Sequence, residues 1–336
     1  MSYLWISIPI LLSTLLYVYF SPPKLPEVEL HNFKDSYRLK NLTHQTTIDN
    51  EIYEKYASQW WDTTNGDFSG LHYITPVRVD YFMQEIDKWI QSEKAREASV
   101  AGKLKSDMRE IVVADVGCGA GILTEQLTKR LLKKYDSNKI QVIGVDPSPG
   151  AIEQARMHAR EVGLASHISF DVAGGEKLPM RSHSVDVLIM SDVLEHIADV
   201  RSVMKEVSRV LRPGGVFLFD TMDRSWTAYV LFIRLAQQNI IPSLAVCPPN
   251  THDYQMFIKP EEMDQLFDEN GLQRQHEYTG IMLKLFNLRT ILHNLFKFFI
   301  KREGKPSGGV AAIIGKFVLV DSNKFKASYA GSAIKL

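Results

Sequence analysis

A short apolar run followed by an acid and three glycines is the feature that most constrains how this chain can fold. Ile111–Val116 (IVVADV) is apolar apart from Asp115, which is typical of a parallel strand buried on both faces. The segment Asp115–Gly121 (DVGCGAG) then leads into Ile122–Lys134, where leucines recur every four residues as on one face of a helix. Glycines let the backbone turn tightly and leave room for a ligand. The pattern predicts a ligand site at the carboxyl end of a parallel sheet.

Strand and helix patterns alternate along the rest of the chain. Short apolar runs, typical of buried strands, are separated by segments whose apolar residues recur with helical spacing. Beyond the first strand and helix, the patterns predict strands at Ile140–Val145, Ile168–Val172, Val185–Met190, Val216–Asp220, Gly315–Val320 and Ala327–Ile334, and helices at Pro149–Val162, 199–211 and 260–270. This order predicts an α/β fold with a mostly parallel sheet, right-handed crossovers and helices on both faces.

The first twenty residues differ from the rest because they carry no charged side chain. Tyr3–Phe20 is almost wholly apolar, and a helix of about 18–20 residues just spans the hydrocarbon core of a membrane. A cleaved signal peptide would begin with basic residues, and a mitochondrial transit peptide would be rich in arginine, so neither alternative matches. We expect a transmembrane anchor over residues 1–21, a linker over 22–50, a helical cap and connection over 51–107, and an α/β domain over 108–336.

The charge balance and the cysteine content exclude several classes of function. Lys plus Arg and Asp plus Glu both number 39, so the chain carries no net charge and gives no global attraction to nucleic acid. The two cysteines, Cys118 and Cys247, make neither a disulfide framework nor a cysteine-rich zinc site. This cysteine usage favours a reducing compartment.

An acid at the end of the second predicted strand completes the pattern that the glycine loop begins. A carboxylate at Asp146 is placed to accept hydrogen bonds from the ribose hydroxyls of an adenosine. A nicotinamide dehydrogenase is the rival interpretation, but its fingerprint requires a third small residue where this chain has Ile122. The spacing of Gly117 and Gly119 after Asp115 instead resembles the cofactor loop of class I methyltransferases.

Two carboxylates and an imidazole follow the fourth predicted strand. If this segment turns into a helix, Asp192, Glu195 and His196 lie at i, i+3 and i+4 and share one face. Such a cluster could hold a divalent metal ion, or His196 could act as a general base. The alternative is an ordinary helix start with acids placed against the helix dipole. The spacing alone leaves all three interpretations open.

Several longer motifs are more particular than the glycine loop. They are Ala57–Asp62 (ASQWWD), Leu71–Arg78 (LHYITPVR), Asp192–His196 (DVLEH), Leu211–Gly215 (LRPGG) and Thr251–Pro260 (THDYQMFIKP). With them the chain resembles the ubiquinone-biosynthesis O-methyltransferase family from about residue 52 to about residue 282. The resemblance implies a Rossmann-like class I methyltransferase fold with S-adenosylmethionine as the cofactor.

The resemblance also implies roles for particular residues. The expected cofactor-binding residues are Arg78, Gly117, Gly119, Asp146 and Ser191. Mg²⁺ is expected at Asp192, Glu195 and His196, although mitochondrial relatives typically have Glu in place of Asp192. We assign catalysis to His196 and Glu195. Trp60, Trp61 and His72 are expected to pack the N-terminal helices over the cofactor, since large aromatic residues mostly serve packing.

Two further segments indicate a membrane. Met282–Arg302 has five Lys/Arg and no acid, and its cations recur every four residues on an otherwise apolar pattern. This is typical of a basic amphipathic helix at a membrane surface, and a helix packed on the sheet is the alternative. Trp226–Val246 is similarly apolar, and the resemblance implies that it covers the substrate entrance. We treat 225–250 and 282–302 as membrane-facing insertions.

Together these patterns predict O-methylation of a lipid-soluble polyprenyl phenol, either a polyprenylated catechol or demethylubiquinol. The expected partners are a membrane and other ubiquinone-biosynthesis proteins, with no nucleic acid. The expected location is membrane-anchored, at the mitochondrial inner membrane if the source is eukaryotic. The alternatives are a paralogue that methylates another lipid or phenol, and a non-catalytic assembly subunit.

Overall fold

The strands of the chain form a single sheet in the computed structural model, which describes residues 50–63, 68–101, 109–237, 250–299, 312, 315–321 and 327–336. The strands described are β1 Ile111–Val116, β2 Ile140–Asp146, β3 Ile168–Val172, β4 Val185–Ser191, β5 Leu211–Met222, β6 Leu272–Arg274, β7 Thr279–Leu285, β8 Gly315–Val320 and β9 Ser328–Lys335. Their order is β3-β2-β1-β4-β5-β9-β7-β8, and β6 pairs with β9.

Strands β1 to β5 are parallel to one another. The pairs β5–β9, β9–β7 and β7–β8 are antiparallel, so the sheet as a whole is mixed. The predicted parallel sheet is therefore confirmed for one half. The strand order reverses between β1 and β4, and ligands of such sheets bind at the carboxyl ends of the strands beside that reversal.

Helices cover both faces of the sheet, as the alternating patterns predict. Helices α2, α3 and α4 pack on one face, together with Val113 of β1 and Val187 of β4. Helices α5 and α6 pack on the other face, with Ala114 and Leu188. The helices are α1 Ile52–Lys55, α2 Ser69–Ala101, α3 Ile122–Lys134, α4 Pro149–Glu161, α5 Val200–Val210, α6 Pro260–Glu269 and α7 Leu288–Phe299, and a short helix Trp226–Ala228 runs into the π-helix Tyr229–Gln237. Because successive strand residues point to opposite faces, β1 and β4 are buried on both sides.

Side-chain caps determine where α4 and α5 begin. The hydroxyl of Ser148 accepts a hydrogen bond from the backbone N–H of Ala151 at 3.1 Å, and Pro149 occupies the first helical position. The carboxylate of Asp199 accepts one from the backbone N–H of Ser202, also at 3.1 Å. The Ser148 cap fixes the course of the chain immediately after the second strand.

Two predicted segments differ from the structure. The segment 51–107 was expected to end in a connection, but α2 continues as a helix to Ala101. The indole N–H of Trp89, in that helix, donates to the carbonyl of Gly214 at 2.8 Å and ties α2 to β5. The amphipathic helix expected from Met282 begins only at Leu288, because Thr279–Leu285 pairs with β8 and β9 as strand β7.

The predicted membrane anchor, Tyr3–Phe20, lies outside the described residues, as does nearly all of the predicted linker. Within the described ranges, no helix combines the length and the apolar character needed to cross a membrane.

Candidate active site

The glycine loop after β1 depends on glycine for backbone conformation and for space. Gly117 and Gly119 have φ values of 77° and 54°, a region that residues with a Cβ rarely adopt. A Cβ at Gly117 would lie 2.3 Å from the side chain of Val193, and one at Gly119 would lie 2.3 Å from the ring of Trp60. The space beside these two glycines is therefore taken by protein side chains, and the loop is held against both neighbouring segments.

Asp146 ends β2 directly beside this loop. Its Oδ2 accepts a hydrogen bond from the backbone N–H of Gly119 at 2.8 Å, and its Oδ1 accepts one from the backbone N–H of Ser148 at 2.9 Å. Burial raises the pKa of this carboxyl even though the two hydrogen bonds lower it. Each carboxylate oxygen can accept two hydrogen bonds, so one acceptor position on each oxygen is left for a ligand. The structure thus brings Gly117, Gly119 and Asp146 together.

Arg78 extends from α2 to the carboxyl ends of β4 and β5. Its Nη2 lies 3.0 Å from Oδ1 of Asp192, and its Nε lies 3.0 Å from Oδ2 of Asp220. The hydroxyl of Ser191 donates a hydrogen bond to the same Asp220 carboxylate. Arg78 is only 6% exposed; burial lowers its pKa, but Asp192 and Asp220 outweigh that effect and raise it. Arg78 and Ser191, two of the predicted cofactor residues, thus meet around Asp220.

The segment Asp192–His196 does not form the helix that its spacing suggests. Asp192 adopts the left-handed φ of 60°, which aspartate tolerates better than most residues, and Leu194–His196 is a single 3-10 turn. The condition on which Asp192, Glu195 and His196 would share one helix face is therefore not met. The reason is that β4 continues to Ser191 and the ion pair with Arg78 holds Asp192 at the strand end.

Glu195 and Asp192 are neighbouring acids whose pKa values shift in opposite directions. Glu195 is fully buried, and its Oε2 accepts a hydrogen bond from the hydroxyl of Thr221 at 2.9 Å. Burial, and next the charge of Asp192, raise the pKa of Glu195 well above its ordinary value. Burial alone would raise the pKa of Asp192 too, but Arg78 outweighs it and the pKa is lowered. The pKa values of the two acids are therefore shifted in opposite directions.

The expected Mg²⁺ site is not supported by this arrangement. Among the residues that the structure describes, no group of three or more His, Cys, Asp or Glu side chains is spaced to hold a metal ion. Asp192 is engaged by Arg78, and Glu195 is bonded to Thr221 in surroundings that raise its pKa, whereas Mg²⁺ requires ionised oxygen ligands. We therefore derive no step through a metal ion.

His196 lies among rings from two distant segments. The centroid of its ring is 5.1 Å from the ring centroid of His252 and 5.9 Å from that of Tyr53. Burial lowers the pKa of His196, and burial followed by the effect of His196 lowers the pKa of His252 to about 3. Both imidazoles are therefore neutral at pH 7.

Sequence reasoning did not single out three residues of this site. His252 stood within the Thr251–Pro260 motif, which was a signal for it. Asp220 ends a predicted strand at the same edge as Asp146, as a ligand-facing acid would. Thr221 gave no signal, since threonine is ordinary in strands.

The N-terminal residues cover the glycine loop and contact α4. The ring of Trp60 lies against Gly119 and stacks on Phe68 at 4.2 Å, and His72 Nε2 is 2.7 Å from the Trp60 carbonyl. The ring of Trp61 stacks on His158 of α4 with centroids 3.4 Å apart. The expected packing role of Trp60, Trp61 and His72 agrees with these contacts.

The exposed carboxylate of Glu54 adds polar contacts between the N-terminal residues and the start of α4. Glu54 Oε2 accepts hydrogen bonds from the hydroxyl of Ser148 at 2.6 Å and from the backbone N–H of Gly150 at 2.8 Å. These bonds, with Ser148 first, lower the pKa of Glu54. Helix α1 is thereby joined to the turn that follows Asp146.

Comparison with known proteins adds sequence evidence to this geometry. A family profile described as "Methyltransferase domain" matches residues 114–219. The "Ubiquinone biosynthesis O-methyltransferase" of Colwellia psychrerythraea is 33% identical over 221 residues, which are 66% of this chain and 80% of that protein. The protein of the same name from Vibrio cholerae is 34% identical over 239 residues, 70% of this chain and 83% of its own length. A solved SAM-dependent methyltransferase from Aquifex aeolicus, 13% identical, superposes with a TM-score of 0.41 over 68% of this chain and 85% of that one.

Proposed function

Because this chain belongs to the ubiquinone biosynthesis O-methyltransferase family, we propose that its acceptor is a polyprenylated catechol or demethylubiquinol. The chain is an S-adenosylmethionine-dependent O-methyltransferase of ubiquinone biosynthesis. One observation carries the assignment to this site. Neutral His196 follows the carboxyl end of β4, which pairs with β1, the strand that leads into the glycine loop.

The residues around the glycine loop fit an adenosine-bearing cofactor. Asp146 retains an acceptor position on each carboxylate oxygen, which suits two ribose hydroxyls. The guanidinium of Arg78 has five N–H donors, and its ion pairs with Asp192 and Asp220 leave donors for the cofactor's carboxylate. Gly117, Gly119 and Ser191 complete the proposed set.

S-Adenosylmethionine, when bound, supplies a methyl group that leaves its sulfonium as the acceptor oxygen bonds to the methyl carbon and the carbon–sulfur electron pair stays on sulfur. The work left to the protein is to align the acceptor and to remove its hydroxyl proton. His196 is proposed as the general base, because burial keeps its imidazole neutral and able to accept a proton. Glu195, buried next to it in surroundings that raise its pKa, is proposed as a hydrogen-bonding partner in the same site.

A membrane is the proposed source of the acceptor. On α7, Leu288, Leu292 and Phe296 recur every four residues and are 71%, 48% and 50% exposed. Arg289 and His293 are exposed beside this apolar row, and residues 278–302 contain no acid. An exposed row of apolar side chains flanked by cations suits the interface of an anionic bilayer. We propose this face as a membrane contact, in addition to the anchor proposed at Tyr3–Phe20 and to contacts with other ubiquinone-biosynthesis proteins.

One turnover assay tests whether the protein methylates the proposed acceptor. The full chain in detergent or liposomes is given labelled S-adenosylmethionine and a short-tail polyprenyl catechol, and products are identified by mass spectrometry. We expect one methylated oxygen on the catechol ring. A protein that binds the cofactor but forms no methylated catechol would contradict the proposed substrate and favour a different acceptor or a non-catalytic subunit.

A further inference from the structure

A second imidazole lies beside that of His196 in the candidate site. The rings of His196 and His252 have centroids 5.1 Å apart and planes inclined by 42°. His252 lies in the loop that follows the segment 238–249, far from His196 in sequence, and is 8% exposed. Two distant parts of the chain therefore bring two imidazoles to one place beside the carboxyl end of β4.

Each of these rings has a buried nitrogen without a partner. In the described part of the chain, Nδ1 of His196 and Nδ1 of His252 are both inaccessible to solvent and make no hydrogen bond. Buried polar atoms in folded proteins are nearly always paired, so an unpaired one requires an explanation. Two such atoms on facing rings indicate a ligand that offers two hydroxyl or oxygen groups close together.

His252 is held through its main chain rather than through its ring. The side-chain amide of Gln237 accepts a hydrogen bond from the backbone N–H of His252 at 2.6 Å and donates one to its carbonyl at 3.0 Å. The rings of Phe232 and Phe257 lie 6.3 Å and 6.2 Å from that of His252. The imidazole is thus positioned by the end of the π-helix, and its Nδ1 is not used in doing so.

We propose that His252 hydrogen-bonds the acceptor hydroxyl adjacent to the one that is methylated, and that Gln237 is its positioning residue. The inference rests on the proposed function, and it adds the reason for preferring a ring with two neighbouring hydroxyls. His196 serves the reacting oxygen, and His252 binds the second oxygen. A phenol with a single hydroxyl satisfies only one of the two imidazoles, because its second position offers no donor or acceptor.

The test compares two acceptors on variants of the full chain. The acceptors are a short-tail polyprenyl catechol and the matched monophenol that lacks the second hydroxyl. His252→Leu removes the hydrogen bond and keeps an apolar side chain in the site. His252→Asn retains an amide near the position of Nδ1, whereas His252→Gln places its amide near Nε2. Exposed His276→Leu is the matched control.

We expect His252→Leu to lower kcat/KM for the catechol at least tenfold, mainly through KM, and to abolish most of the preference for the catechol over the monophenol. His252→Asn should restore much of that preference and His252→Gln should not. Affinity for S-adenosylmethionine, measured by calorimetry, should be unchanged in every variant. His276→Leu should match the wild type. Gln237→Leu should raise KM for the catechol in the same direction and by less.

Three results would overturn the inference. One is a Leu variant that retains the wild-type preference between the two acceptors. Another is an equal loss of the preference for the catechol in the Asn and Gln variants while cofactor affinity is intact, which would mean that only the shape of the ring matters. This comparison can be made even if the Leu variant does not fold. The third is a wild-type protein that methylates neither acceptor, which is a failure of the proposed function itself and is recognised because no substitution is involved.

Discussion

The guanidinium of Arg78 lies 3.0 Å from the carboxylate of Asp192, and this ion pair joins the long helix α2 to the end of β4. The same guanidinium is 3.0 Å from Asp220, so one cation compensates two buried or half-buried acids. Arg78 therefore has a structural role in addition to the cofactor contact proposed for it.

Replacing Arg78 should lower both stability and cofactor affinity. Removing one partner of a buried ion pair costs about 3–5 kcal/mol, because the other charge stays buried. We expect Arg78→Met to lower the free energy of unfolding by about 3 kcal/mol and to weaken S-adenosylmethionine binding, measured by urea unfolding and calorimetry. The control is Arg130→Met, whose pair with Asp80 is exposed and should be worth less than about 1 kcal/mol. Equal effects of the two substitutions would contradict this assignment.

Asp146→Asn should weaken cofactor binding with a smaller effect on the fold. The amide loses one of the two oxygens that accept backbone N–H groups, and it no longer offers an acceptor position on each oxygen to a ribose. We expect the Kd for S-adenosylmethionine to rise at least about tenfold, or about 1.4 kcal/mol. Asp171→Asn, at an exposed position of β3, should leave the Kd unchanged. An unaltered Kd in the Asp146 variant would remove this residue from the cofactor site.

The pH profile of turnover should have an acidic limb set by His196. A base works only when unprotonated, and burial lowers the pKa of His196 below its ordinary value. We therefore expect kcat/KM for the acceptor to be level near pH 7 and to decline on the acid side of the ordinary histidine range. His196→Ala should reduce kcat by a factor of about 10²–10⁴ and abolish the acidic limb. The control His276→Ala should retain the wild-type kcat and the acidic limb. A profile unchanged by His196→Ala would assign the base elsewhere.

The stability of the fold should fall as pH rises, in part through Asp115. This acid is 2% exposed and accepts a hydrogen bond from the hydroxyl of Thr124, and burial raises its pKa to about 7. A folded-state pKa above the unfolded value means that the folded state binds the proton more tightly than the unfolded state does. The stabilisation that this proton gives to the fold is therefore complete below about pH 4 and lost by about pH 8.

Between pH 5 and pH 8 the loss should be up to about 3 kcal/mol, since one pKa unit corresponds to about 1.4 kcal/mol. Urea unfolding at the two pH values should show a smaller difference for Asp115→Asn than for the wild type. An equal difference in both proteins would mean that Asp115 is already ionised in the folded state at pH 5.

The exposed face of α7 should bind anionic membranes without the N-terminal segment. A protein that begins at residue 50 should sediment with vesicles containing anionic lipid at low salt and less at high salt, because surface charges are screened. Replacing Leu288, Leu292 and Phe296 with Ser should reduce this binding at least tenfold. Met157→Ser, an exposed apolar position on α4, is the control. If the triple variant binds as well as the unsubstituted protein, α7 is not the contact.

Much of the fold could be predicted because a parallel sheet leaves clear patterns. Strands buried on both faces read as apolar runs, and β1 has the bounds predicted for it while β4 extends one residue past its predicted end. Strand β7 was not predicted, since Met282–Leu285 continues into an apolar segment with helical spacing. Its strand conformation depends on pairing with β8 and β9, which are distant in sequence, and spacing carries no information about such pairing.

The parts of the candidate site that follow neighbouring strands could be predicted from the sequence. The parts formed where distant segments of the chain meet could not. Gly117, Gly119 and Asp146 follow neighbouring parallel strands, so their proximity follows from strand order. The segment Asp192–His196 is not an α-helix, because the ion pair between Arg78 of α2 and Asp192 holds the backbone at the end of β4. His252 lies beside His196 although the two are far apart in sequence, and periodicity does not predict such an approach.

The contact between Gly119 and Trp60 has an evolutionary consequence. A Cβ at position 119 would lie 2.3 Å from the indole, so a lineage that keeps the tryptophan cannot replace the glycine. The reverse does not hold, because a smaller residue at position 60 clashes with nothing at Gly119, whose φ of 54° still favours glycine. Inheritance at the two positions is therefore asymmetric. Among descendants of this chain, the glycine should outlast the tryptophan, and any other residue at 119 should appear only after 60 has already changed.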